Sequence, residues 1–261
     1  MKLKNIIKNS LFLKSLRLSK SNPSKIALMV VFDVSFLVSF FYVLPIFARY
    51  FVQSIFIAPT PAFALIFSIF SFAYNLLVLL GYSFLKYCVL DSVKSLFEKA
   101  EISFNRLGQF YLLNITLFLP IFLGFSFVLS NIKEIYQSYV FIALGAPISL
   151  LLYAIANLSH SFFYQGDSIK EAIKISLKIT FTKLKAYRET ILMIIIGALI
   201  LGLLFFGVGK IISLIASRNY MLYLNIYGYF NQISIIALDL IFYFIILINR
   251  ISFYAIAKED R

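Results

Sequence analysis

Six long runs of apolar residues, separated by short polar segments, dominate the chain. They are Ile26–Phe47, Ala62–Leu85, Phe110–Ser130, Tyr139–Ser159, Thr190–Gly209 and Ile226–Asn249. A helix rises about 1.5 Å per residue, so about 20 apolar residues cross a hydrocarbon layer of about 30 Å. Every run meets that length, and six transmembrane helices are predicted. The fifth is the least regular, because Gly209–Lys210 interrupts an apolar stretch that resumes as Ile211–Ala216.

Between the runs the period changes. In Asp91–Leu107, Val93, Leu96, Phe97, Ala100, Phe104 and Leu107 fall on one helical face, with Lys94 and Lys99 on the other side and Asp91 placed to cap the first turn. Asp167–Tyr187 has the same design. Ser168 and Glu171 have capping-box spacing there, and Lys170, Lys174, Lys178 and Lys185 form its polar face. Such a helix either lies in the membrane interface with its lysines near lipid phosphates or covers the ends of the spans.

Both segments open on Asp-Ser-β-branched-Lys, as Asp91–Lys94 and Asp167–Lys170, and each precedes two spans. The arm Ile6–Lys20, followed by the turn Asn22–Pro23, also precedes two spans. The expected fold is therefore all-α. It is a single six-span membrane domain over residues 1–261, with amphipathic surface helices and a threefold unit of surface helix plus hairpin in segments 1–85, 86–163 and 164–261.

Composition agrees with lipid as the solvent. The chain is 62% hydrophobic and 13% charged, whereas soluble domains average about 45–50% and about 25%. Charge placement gives the orientation. Twenty of the 24 Lys and Arg lie in the two ends and in the loops after spans two and four; the opposite loops hold only Arg49, Lys133, Lys210 and Arg218. Basic loops stay in the cytoplasm, so both termini are expected there, in a cell-membrane protein. The net charge of +13 is explained by flanking charge and attraction to anionic headgroups, and no nucleic-acid partner is expected. The first span is read as retained rather than as a signal peptide, since 25 residues precede it and five spans follow.

The opening Leu11-Phe-Leu-Lys-Ser-Leu-Arg-Leu-Ser-Lys-Ser-Asn-Pro23, leading into a span that carries Asp33, resembles the start of uncharacterised prokaryotic six-span membrane proteins. The alternation of surface helices and spans is similar to the membrane domain found beside some glycerophosphodiester phosphodiesterases. That resemblance implies a layout and no catalytic residues.

Candidate chemistry is sparse. One Cys and one His cannot build the usual zinc site, and neither a nucleophile motif nor a dinucleotide fingerprint occurs. No metal or cofactor is expected. The segment Gly202–Lys210 imitates a phosphate loop with the wrong spacing, and close helix packing at Ala198 and Gly202 is the better account.

Two acids, Asp33 and Asp239, lie within spans one and six, and Asn75, Asn114 and Asn157 lie in the inner halves of theirs; His160 ends span four. Placing an Asp at mid-membrane costs about 2.5–3.5 kcal/mol on insertion scales, so such residues are candidate sites by default. Two readings follow. One is a polar cavity open to the cytoplasm that takes protons or cations. The other, preferred here, has the amides bonding helix to helix and the acids near the interface, protonated or paired with Lys25 or Arg250. The leading expectation is a non-enzymatic protein that organises lipid or partners, with anionic lipid held by Lys94, Lys99, Lys170, Lys174, Lys178 and Lys185. The alternative is a small-solute or proton-coupled transporter using Asp33 and Asp239.

Overall fold

The computed structural model describes residues 10–46, 49, 61–98, 104–182, 184–216 and 220–259, and helix is the only regular structure among them. In chain order the helices are α1 (Leu11–Ser21), α2 (Pro23–Val38), α3 (Pro61–Lys94), α4 (Leu107–Ser130), α5 (Glu134–Val140), α6 (Ala146–Tyr164), α7 (Ile169–Thr182), α8 (Leu184–Ala216) and α9 (Tyr220–Glu259). Six stretches are long and apolar enough to cross a membrane: Pro23–Ile46, Ile69–Lys94, Leu107–Ser130, Glu134–Tyr164, Ile191–Ile215 and Tyr223–Glu259. They overlap the six predicted runs one for one. The chain is an all-α, multi-pass membrane protein.

It divides into two compact units, Lys20–Thr180 and Met1–Ser19 with Phe181–Arg261. In the larger unit α2 packs along α3, α3 along α4, and α6 touches both α3 and α4. Burial is concentrated at one end of these helices, over Tyr87–Val93 of α3, Phe110–Leu117 of α4 and Ala154–Phe163 of α6. The rest of each span is open: Phe41, Phe127 and Ile142 are all more than half exposed. The physical reason is the solvent. Lipid tails are as apolar as leucine, so packing two apolar faces together gains little hydrophobic energy. Helices gather where polar side chains must be kept from hydrocarbon.

Two spans contain a π-helical turn, Ser39–Val43 and Phe141–Gly145. Each lies two residues before a proline, Pro45 and Pro147. A proline lacks the N–H and its ring crowds the carbonyl four residues back, and a widened turn relieves both problems. Pro120, in contrast, sits inside α4.

The smaller unit is the α8–α9 hairpin with α1. Close approach occurs at Gly197, where a Cβ would come within 2.7 Å of Ile245 Cδ1. The expectation that Ala198 and Gly202 make this contact is corrected: Ala198 is exposed, and a Cβ on Gly202 would meet nothing within 4 Å. Nor does Gly209–Lys210 break the fifth span. Helix α8 runs through it to Ala216, with the Lys210 ammonium 5.6 Å from the Phe206 ring centre. Ser10 caps α1 through Leu13 N–H at 3.2 Å, and Glu189 of α8 accepts from Leu11 N–H at 3.0 Å and from the Ser10 hydroxyl. An acid at a helix N-terminus also meets the favourable end of the dipole. Ser252 of α9 donates to Ser15 of α1 at 2.9 Å.

One predicted surface helix is redrawn. No new helix starts at Asp91; α3 continues without a break to Lys94, and Ser95–Glu98 form a turn and bend. Residues 99–103 of that segment lie outside the described residues. The two Asp-Ser-β-branched-Lys quartets therefore differ in place: the first closes a span, and the second opens α7.

Candidate functional site

At the packed end of the larger unit, three helices bring polar side chains together in a fully buried cluster. Asn114 of α4 donates its amide to Ser83 Oγ of α3 at 2.9 Å, and the Ser83 hydroxyl donates to Leu79 O of its own helix at 2.6 Å. With the amide nitrogen committed, Asn114 Oδ1 faces His160 Nε2 of α6 at 2.7 Å. The hydrogen-bond network thus assigns the proton to Nε2. A single direction runs from His160 to Asn114 to Ser83 to the Leu79 carbonyl. The His160 ring packs against Phe110, with centroids 4.9 Å apart.

Beside it, Lys86 of α3 is only 6% exposed and donates to Asn157 Oδ1 of α6 at 3.3 Å, while Asn157 donates to Tyr153 O at 2.8 Å. Further along the same two helices, Tyr164 donates to Asp91 Oδ1 at 2.6 Å, and Tyr87 packs edge-on against Tyr164. Asp91 caps no helix start here; it accepts a bond across to α6. Lys25, at the start of α2, donates to Ser95 O just past the end of α3. These pairs join helices far apart in sequence, and hydrogen bonds are a main specific attraction between membrane helices.

The structure sorts the predicted polar residues. Asn114 and His160 meet directly, and Asn157 lies one turn before His160 on the same helix. Asn75 is exposed and bonds to Ser71 O of its own helix at 2.7 Å. Asp33 is half-buried on α2, and Asp239 is exposed on α9, in the other unit.

Ser83, Lys86 and Arg106 were not anticipated. Lys86 stood among the loop cations because the second run was closed at Leu85. The apolar stretch Tyr87–Leu90 immediately after it is the signal that the span continues.

The other candidate element is α7, and the corner that leads to it is strongly determined. Helix α6 ends in a Schellman arrangement: Gly166 N–H bonds Phe163 O at 3.0 Å and Asp167 N–H bonds Phe162 O at 3.3 Å, with Gly166 at φ 116°. Arg106, at the start of α4, reaches across to the carbonyls of Phe163 (3.0 Å) and Asp167 (2.5 Å) and lies 4.1 Å from the Phe163 ring centre. Such a planar fork satisfies two acceptors while stacking on an aromatic face. The predicted capping box is present: Glu171 N–H donates to Ser168 Oγ at 3.3 Å and Ser168 N–H to Glu171 Oε2 at 3.4 Å.

From that start α7 turns two different faces outward and inward. Ala172, Ser176, Ile179 and Thr180 are buried, with Ser176 and Ser159 of α6 2.5 Å apart. Lys170, Lys174 and Lys178 are exposed, and so are Leu177 and Phe181 between and beyond them. The spacings of four and three put these five on one side of the helix. Lys94 lies elsewhere, part-buried with its ammonium 5.6 Å from the Tyr164 ring centre. Lys99 and the Lys185 side chain lie outside the described residues.

Against known proteins, no family model, no curated protein and no solved structure matches this chain.

Proposed function

We propose that this is a non-enzymatic protein of the cell membrane that organises anionic lipid along its cytoplasmic face, with α7 as the contact. One observation carries the reading: α7 buries its small and apolar stripe and leaves a face of lysines interleaved with Leu177 and Phe181 exposed. Lysines on long stems beside exposed apolar groups suit the headgroup boundary, where ammonium meets phosphate and the apolar side chains enter the upper acyl region.

The orientation is supported by the basic ends. In the larger unit Lys25, Lys86, Lys94 and Arg106 all engage partners at the same end as α6's Tyr164 and Phe163. A basic rim of this kind belongs on the cytoplasmic side.

The test is lipid retention. After gentle detergent extraction, native mass spectrometry is expected to find anionic phospholipid in excess over zwitterionic lipid on the wild type. Substituting Lys170→Gln, Lys174→Gln and Lys178→Gln together removes three cations, each worth about 1 kcal/mol near an anionic surface. The excess should then disappear. Unchanged anionic lipid on a folded triple variant would refute the proposal.

A further inference from the structure

A second feature of the larger unit lies at a different depth. Between α2, α3 and α4 runs a groove of about 360 Å³, within the range of about 300–1,000 Å³ typical of ligand pockets. Phe36, Leu79, Tyr82, Phe118, Leu119 and Phe122 form most of its wall. Its floor is aromatic: Tyr82 meets Phe36 edge-on at 5.6 Å and Phe118 edge-on at 5.8 Å. Behind that floor stands the polar cluster, with Phe118 6.5 Å from the His160 ring and Ser83 next to Tyr82 in sequence. The aromatic layer thus divides polar core from apolar groove. Asn75, also on the wall, directs its amide to Ser71 O.

Phe122 on its wall is more than half exposed, so the groove opens on the surface of the larger unit. Leu79 is fifteen residues from Lys94, the end of α3, or about 22 Å of helix. That is membrane depth, where exposed side chains face hydrocarbon. A water in such a groove finds few of the two to four polar partners it needs. A polar solute has the same difficulty, and the hydrocarbon of the bilayer is the abundant species that matches the wall.

We infer that this groove is a binding site for one acyl chain of a membrane lipid, admitted laterally from the bilayer. It is separate from the α7 headgroup contact and does not depend on it.

The probe is a phospholipid carrying a diazirine in one acyl chain, reconstituted with the protein in vesicles of unlabelled phospholipid, photolysed, and mapped by peptide mass. Adducts on the Leu79 and Leu119 segments are expected to saturate with probe fraction. At low probe fraction they should exceed those at Leu199, Leu203 and Leu204 of α8, each more than half exposed, by about tenfold, a preference of about 1.4 kcal/mol. Filling the groove with Leu79→Trp or, separately, Leu119→Trp should reduce the α3 and α4 adducts to the α8 level. Gel filtration and thermal melting identify which variant keeps its fold, and two positions are used so that failure of one leaves the other. Adducts that track exposure alone, or that persist in a folded filled variant, would overturn the inference.

Discussion

Asn114 shows how much one polar side chain can specify in a span. It is fully buried and joins Ser83 on one neighbouring helix to His160 on another. Asn114→Leu keeps the branching at Cγ and removes both interhelical bonds at once, so it is expected to destabilise the protein by about 1–3 kcal/mol in bicelle unfolding measurements. A double-mutant cycle with His160→Phe should return a coupling near 0.6 kcal/mol and no more than about 1.7, the range for hydrogen bonds between membrane helices. A coupling of zero would mean that the two residues are merely neighbours. That Asn114 and His160 are candidates was legible from polarity in apolar runs, because an intramembrane amide needs a partner. Which partner it has was not legible, since Ser83 lies 31 residues away.

At the scale of elements, the corner between α6 and α7 decides where the cationic face points. Gly166 sits at φ 116°, a region that costs other residues about 1–2 kcal/mol. Arg106 holds two carbonyls of the same corner. Gly166→Ala and Arg106→Gln should each speed hydrogen exchange in α7 while leaving α8 and α9 at wild-type protection. Arg106→Lys should resemble Arg106→Gln, because an ammonium lacks the planar fork. Rescue by lysine would show that charge alone is used. The start of α7 was readable, since Ser168 and Glu171 satisfy orphan N–H groups locally. The supposed helix from Asp91 was not, because periodicity cannot tell a new helix from the last turns of an old one. Lys86 was misplaced for the same reason.

For the whole molecule, the count of spans and the sorting of basic residues give a topology that can be tested directly. Cysteine-reactive or reporter tags near residues 55 and 135 are expected to be reachable only from outside intact cells, and tags at either terminus only from the cytosol. The reverse pattern would invert the proposed orientation and remove α7 from cytoplasmic lipid. Within each unit the described residues bury apolar and polar side chains together at one end of the helices, with Phe110, Phe162 and Phe163 beside Asn114 and His160 in one and Phe253 and Tyr254 beside Ser252 in the other. Substitutions at exposed span residues such as Leu203 or Phe127 are expected to cost little packing energy within their own units.

What the amino-acid sequence determined alone is what adds up locally: apolar length, the charge between spans, and caps made within one turn. These depend on a residue and its near neighbours, so no fold is needed to read them. Tertiary structure decided which polar groups meet, that Lys86 is buried, that Arg106 braces the start of α7, and that three helices enclose an apolar groove. Each of those joins positions tens of residues apart, and the spacing of residues along one helix carries no record of its neighbour's register.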